Sequence, residues 1–271
     1  MRIARFVSGD NPAYGVVELA QDNGDHPETI SVLNGDPLAG AVNFTGERLA
    51  LDDVRLVAPV IPRSKIVAVA RNYVAHADEL GNDVPEVPMV FLKPNTSVVG
   101  PGEPIVYPRL SSAVDHEGEL AVVIGRICKE VPVERAHEVI FGYTCANDVS
   151  ARDLQKSDGQ WGRAKGFDTF CPLGPWIATH LSLEEAGDLE VAVTIERGGE
   201  VLERQRASTA LMVRSIAEMV SFVSAFTTLL PGDVILTGTP AGVGRIEPGD
   251  VVHVDIEQIG RLSNPVVAQD A

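Results

Sequence analysis

The chain is short of positive charge. Its 271 residues carry 22 Lys and Arg against 38 Asp and Glu, a formal net charge of -16. Such an acidic surface repels phosphate backbones, so nucleic acid is excluded as a partner. An anionic small molecule would need a local cationic site or a bound metal ion to overcome that field. Cysteine is scarce. Cys128, Cys145 and Cys171 form no CxxC pair, and none has a base beside it in sequence. An odd, scattered set reads as reduced, buried thiols rather than a disulfide framework. Long apolar runs are missing too. The longest, "LVAPVIPRSKIVAVA", is broken by two prolines, Arg63, Ser64 and Lys65, so no membrane span is expected. The opening "MRIARFVSGD" has no apolar core of the secretory type, which gives the expectation of a cytoplasmic protein. Internal repeats and low-complexity segments are absent.

What is present is 45% hydrophobic content, enough for one large core or a main domain with a small appendage. Residues 1–60 read as short strands and turns, and "APVIPRSK" reads as a linker into a main domain over 62–271. There "KIVAVA", "PMVFLKP", "EPIVYP", "DHEGELAVVIG", "GDVILTGTP" and "GDVVHVDIEQIGRLSNPV" read as strands, with "YTCAND" a strand end. "EVAVTIERGGEVLERQ" is a hairpin around Gly198-Gly199. Helices are expected at "NYVAHADELGN", with Asn72 as N-cap and Gly81 as stop, and at "VERAHEVIFG" and "SIAEMVSFVSAFTTL". Another starts at "SARDLQK", with Ser150 and Asp153 at capping-box spacing. The pattern is mainly β with a few packed helices, an α+β arrangement rather than regular βαβ units.

The chemistry gathers around "DHEGELAVVIG". On a strand, Glu117 and Glu119 share one face, followed by Ala121 and Val123, while Leu120, Val122 and Ile124 line the other. Two carboxylates next to burial repel each other. Solvent exposure, pairing with Lys or Arg, and a shared divalent cation are the three ways out. Asp148, at the end of a hydrophobic strand, is the candidate third ligand. Its competing reading as a helix N-cap is weakened because Ser150 can fill that post. Three carboxylates suit Mg²⁺ or Mn²⁺ and are poor for zinc.

His76 and Glu79 stand three apart on one helical face, where a carboxylate can orient an imidazole, raise its pKa and make it a better base. Spacing alone favours an ordinary surface pair. Lys165, in "WGRAKGFDTFCPLGP", could steady developing negative charge. Read in isolation, a solvated lysine is the commoner outcome. "TGTPAGVG" lacks the Walker lysine and GxGxxG spacing, so it reads as a tight turn, with Thr237 and Thr239 as candidate ligand contacts.

Six segments in order, "RNYVAHADELG", "FLKPNTSVVGPGEPIVYP", "DHEGELAVVIG", "YTCANDVSARDLQ", "WGRAKGFDTFCPLGP" and "LLPGDVILTGTPAGVG", resemble the fumarylacetoacetate hydrolase family over roughly residues 62–267. The first 60 residues look like the small N-terminal domain of some bacterial members. The resemblance implies a pseudo-symmetric β-roll and a homodimer. It implies a divalent metal, Mg²⁺ or Mn²⁺, on Glu117, Glu119 and Asp148, a water-activating His76–Glu79 dyad, and a catalytic Lys165. Gln155 and Thr239 match substrate-contacting positions. The implied activity is hydrolysis of an acylpyruvate such as fumarylpyruvate, a small-molecule 2-oxo acid. Isomerisation of a 2-hydroxyhepta-2,4-diene-1,7-dioate or decarboxylation of oxaloacetate is the alternative.

Overall fold

A computed structural model describes residues 1–20 and 27–270. Among them β-structure dominates, in sheets of twelve, five and three strands. The twelve-stranded sheet runs Phe44–Ala50, Thr29–Leu33, Pro12–Glu18, Arg2–Val7, Cys171–Ala178, Ile140–Asn147, Gly118–Ile124, Val234–Leu236, Ile66–Ala70, Met89–Lys93. Arg55–Val57 pairs with Arg2–Val7 off this path. After Met89–Lys93 the chain turns into Val98–Val99, which pairs in parallel with Cys171–Ala178. The row of strands therefore curls back toward its own middle, as a roll.

Gly118–Ile124 lies at the centre of this roll, and all its residues are buried. Leu120, Val122 and Ile124 pack with Val193 and Val254 of the five-stranded sheet and with Val220 and Val223 of the helix Ile216–Phe226. Ala121 and Val123 face the other way, onto Ile3, Val16 and Leu33 of the N-terminal strands. Period-two alternation thus serves two cores at once, which is why the segment reads as nearly continuous apolar sequence. The N-terminal strands join the main sheet through Arg2–Val7, and their Ile3, Val16 and Leu33 pack in one cluster with Ala121 and Val123.

Four local expectations need correction. Asn72 does not cap the helix Val74–Glu79, whose N-cap is Tyr73 with no side-chain bond. Instead the buried Asn72 amide donates to the Arg214 and Thr237 carbonyls and accepts from the Arg214 N–H at 2.8 Å. Ser150 does not cap the helix Arg152–Asp158. It sits in the short strand Ser150–Ala151 and donates to the Asp148 carbonyl, while Asp153 accepts from Ser111 and Ser112. "VERAHEVIFG" is not one helix, because a 3-10 segment, Val133–Glu138, gives way to the strand Ile140–Asn147. The β-branched and aromatic residues there satisfy their backbone groups against Gly118–Ile124. Of the three cysteines, Cys145 and Cys171 are buried, but Cys128 is only half-buried.

Asn72 ties the end of Ile66–Ala70 to the loop before Ile216–Phe226 and to Thr237, three segments far apart in sequence. Asn72→Ala strands buried groups on all three, and each orphan is costly. The expected loss is about 3 kcal/mol of unfolding free energy, read from urea denaturation. An unchanged midpoint would show that water takes over the role.

Candidate active site

Strand register brings the three acids together. Gly118 lies opposite Asn147, so Glu117 and Asp148 leave the strand pair at the same end. The Asp148 N–H donates to the Glu117 carbonyl at 2.8 Å, and the Asn147 side chain accepts from the Glu117 N–H at 2.9 Å. On the other side Ala121 faces Leu236, which carries Gly238 up to Glu119. The Gly238 N–H donates to Glu119 Oε2 at 2.7 Å. Gly238 has φ +94°, and a Cβ there would lie 2.8 Å from the Asn72 Cβ, so only glycine fits this approach. One oxygen from each of Glu117, Glu119 and Asp148 falls within 4.8 Å of the others, and all three residues are buried.

Cations partly balance these charges. Lys165 Nζ lies 2.6 Å from both Glu117 Oε2 and Asp148 Oδ2. Lys93 Nζ lies 2.5 Å from Asp148 Oδ1. The Arg152 guanidinium bonds Glu117 and, at 2.9 Å, Asp115, which also takes Arg245. Burial opposes the charged form of Glu117, but Arg152 and Lys165 outweigh it and hold its carboxyl well below the usual range. Glu119 is different. Among the described residues it has no ion-pair partner, only the Gly238 N–H. Burial, with Asp148 and Glu117 alongside, pushes its pKa well up. The cluster is therefore short of positive charge at Glu119, and three converging hard oxygens fit a divalent cation there.

Lys165 is not solvated. It is buried, and although burial works against its charge, Asp148 and Glu117 keep its pKa raised. His76 is likewise not a surface residue. It is buried in the same cavity wall, with Nδ1 3.4 Å from Glu79 Oε2. The expected rise in its pKa is reversed. Burial lowers it, outweighing Glu117 and Glu79, so His76 is neutral at pH 7. A carboxylate only accepts, which puts the imidazole proton on Nδ1 and leaves the Nε2 lone pair free. Glu79 is itself fixed by the Gly242 N–H, at 3.0 and 3.1 Å from its two oxygens.

His76, Lys165, Arg152 and the three carboxylates line one cavity of about 480 Å³, together with Gln155 and Thr239. Gln155 accepts from Arg152 at 2.9 Å. Thr239 donates to the Gly118 carbonyl and accepts from Gln205 Nε2, so toward a ligand its hydroxyl can only accept. Thr237 is turned away and donates to the Leu120 carbonyl. Sequence reasoning missed Lys93, Arg152, Asp115 and Gln205. Lys93 carried a signal, a charge ending an apolar strand just before Pro94. The others carried none, because their partners come from distant strands.

A family model described as fumarylacetoacetate (FAA) hydrolase C-terminal matches residues 65–267, and one described as Rv2993c-like, N-terminal matches residues 1–59. The chain belongs to the fumarylacetoacetate hydrolase family. It is 50% identical over 267 residues to Protein Rv2993c of Mycobacterium tuberculosis, covering 98% of each chain. It is similar to the crystal structure of 5-carboxymethyl-2-hydroxymuconate delta-isomerase from Mycobacterium smegmatis, with TM-score 0.88, 51% identity, and coverage of 99% and 100% of the two chains. It is also similar to maleylpyruvate hydrolase from Sphingobium sp. SYK-6, solved with manganese(II) and pyruvate, with TM-score 0.79, 34% identity and full coverage of both chains. The mainly β, roll-like fold expected of a fumarylacetoacetate hydrolase is thus the fold found. Among the described residues no helix is long and apolar enough to cross a membrane.

The raised pKa of Glu119 has a measurable consequence in metal-free protein. Between its unfolded and folded pKa the native state holds a proton that the unfolded state has lost, so stability falls as pH rises through that window. Glu119→Gln removes the cost of charging the site. In EDTA the variant should melt about 2–4 °C above the parent at pH 8, with a smaller gain at pH 5. Equal gains at both pH values would show that Glu119 is not the group that titrates.

Proposed function

We propose that the protein is a divalent-metal-dependent hydrolase that cleaves the C3–C4 bond of an acylpyruvate-type 2,4-dioxo acid resembling fumarylpyruvate. The observation that carries this is the placement of His76, its Nδ1 3.4 Å from Glu79 Oε2, in one cavity with three converging carboxylates. A cation held by Glu117, Glu119 and Asp148, Mg²⁺ or Mn²⁺, would supply Lewis-acid binding of the 1-carboxylate and 2-oxo oxygen. His76 Nε2 takes a proton from water, and the water oxygen attacks C4. Glu79 stabilises the imidazolium that forms. Lys165 has spent two N–H groups on Glu117 and Asp148, and its third serves the oxyanion at C4. The C3–C4 bond then breaks, its electron pair passes to C3, and His76 returns the proton there. The products are pyruvate and the carboxylic acid of the acyl group. Gln155 and Thr239 contact the substrate from the same wall, Thr239 as an acceptor for an enol hydroxyl. The manganese and pyruvate in the Sphingobium maleylpyruvate hydrolase support this reading.

The second reading is isomerisation of a 2-hydroxydienoate, favoured by the likeness to the M. smegmatis isomerase, or decarboxylation of a β-keto acid such as oxaloacetate. In isomerisation His76 moves a proton between carbons and no water attacks. Decarboxylation needs neither water nor a base.

Proton NMR of acetylpyruvate with protein and excess Mg²⁺, against an EDTA control, separates the two. Acetate and pyruvate should appear only with metal. Unchanged substrate would turn the assignment to proton transfer or decarboxylation. Glu79→Gln should lower hydrolysis at least about 100-fold in kcat, the scale of lost general-base catalysis, while sparing metal-driven oxaloacetate decarboxylation. Equal loss of both activities would remove Glu79 from water activation.

A further inference from the structure

The strand Glu200–Ser208 forms one edge of the five-stranded sheet, and Gln205 is its one buried residue. A buried amide is costly unless every polar atom finds a partner, and here each does. The Gln205 Oε1 accepts from the Gly118 N–H at 3.0 Å and from His116 Nδ1 at 3.1 Å. Its Nε2 donates to Thr239 Oγ1 at 2.7 Å and to the Pro240 carbonyl at 2.6 Å. A backbone N–H only donates and a backbone carbonyl only accepts, so the amide cannot be turned over. Gln205 does not line the cavity; it stands behind the wall that Gly238 and Thr239 form.

The same strand meets the same loop a second time. Its pairing steps from Val193–Gln205 to Thr194–Glu203, which leaves Arg204 as the extra residue of a β-bulge. The Arg204 carbonyl then faces Gly242, where φ is +100° and an added Cβ would run into that oxygen. The Gly242 N–H is the group that holds both oxygens of Glu79. Among the described residues Glu79 has no hydrogen-bond partner besides Gly242 and His76. Its side chain is 32% exposed, so packing alone does not fix it. The orientation of Glu79 toward His76 therefore depends on where the loop puts one backbone N–H.

We propose that Gln205 is a positioning residue for the base: by tying Thr239 and Pro240 to the edge strand it holds Gly242 against Glu79, and so keeps Glu79 on His76 Nδ1. This rests on the reading of His76 and Glu79 as the pair that moves the proton. The link runs from Gln205 through the Pro240 carbonyl and the Gly242 N–H to Glu79, and Gln205 touches no reacting group.

The test is a double-mutant cycle on acetylpyruvate hydrolysis with excess Mg²⁺, using Gln205→Met and Glu79→Ala. Gln205→Met should lower kcat about tenfold, the scale of a lost hydrogen bond. In the Glu79→Ala background the same change should cost less than about twofold, because the group it positions is gone. A purely structural loss would repeat in full there, and that result overturns the proposal, as does an unchanged kcat in Gln205→Met alone. A thermal melt checks the fold. Gln205→Glu, which keeps an oxygen for Gly118 and His116 but lacks the amide N–H groups, serves the same cycle should the methionine variant not fold. A second arm needs no turnover. With nitrogen-labelled glycine, amide exchange at Gly242 should speed about tenfold in the variant, while Gly142, inside the strand Ile140–Asn147, stays as protected as in the parent. Unchanged protection at Gly242 overturns the proposal whatever the reaction. Failure of the parent to cleave acetylpyruvate overturns the hydrolase reading alone, and the exchange arm still decides Gln205.

Discussion

Everything at this site follows from the cost of holding Glu117, Glu119 and Asp148 together away from water. Three carboxylates within 4.8 Å of one another repel strongly where water cannot screen them. The fold answers with Lys165 between two of them, Lys93 on Asp148 and Arg152 on Glu117, all buried or nearly so. That arrangement leaves one deficit, at Glu119, which among the described residues has only a backbone N–H. A site balanced in all but one place takes up either a proton or a cation there. The surrounding ion pairs act as the frame that keeps the opening in position.

The frame is rigid because it stands on strand register. A one-residue slip of Gly118–Ile124 would turn Ala121 and Val123 toward the five-stranded sheet and carry Glu117 and Glu119 away from Asp148. Two cores guard against the slip, one on each face. The N-terminal strands supply the second core through Ile3, Val16 and Leu33. They touch none of the acids, yet they help fix the register on which the acids depend. Gln205 works in the same way from the five-stranded sheet. Its side-chain oxygen accepts from the Gly118 N–H at 3.0 Å and its Nε2 donates to Thr239, joining the acid-bearing strand to the far wall.

The sequence was most legible where local pattern and tertiary demand agree. The strands Ile66–Ala70 and Met89–Lys93 and the hairpin turning at Gly198-Gly199 stand where alternation and turn residues placed them. Ser215 and Glu218 close a capping box on Ile216–Phe226, a signal readable from Ser-x-x-Glu that the periodicity alone did not use. Reading failed where a polar side chain looked local and was not. Asn72 and Ser150 have the chemistry of helix caps, but Arg214 and Thr237 claim Asn72 from across the fold, and Ser150 is drawn into a strand opposite Asp115 with its hydroxyl on the Asp148 carbonyl. His76 and Lys165 read as surface groups in isolation because burial is a property of the closed roll, not of the segment. The same cause reversed the sign for His76, since the carboxylate beside it was visible in sequence and the desolvation was not. Lys93 showed only as a charge ending an apolar strand, and neither it nor Arg152 has anything near it in the chain to announce its acid partner, Asp148 for the one and Glu117 for the other.

Charge is distributed along the cavity with a consistent logic. Deep in the wall each cation is held by an acid, so its position is set and its field is largely cancelled. On the same wall Arg71 and Lys156 make no side-chain hydrogen bond or ion pair among the described residues, against a surface that is otherwise strongly negative. An anion approaching the cavity meets a repulsive exterior broken by one attractive opening, and such contrast steers charged ligands more effectively than uniform charge would. The two sets are built from the same residue types, Arg and Lys, and differ in whether an acid already holds them.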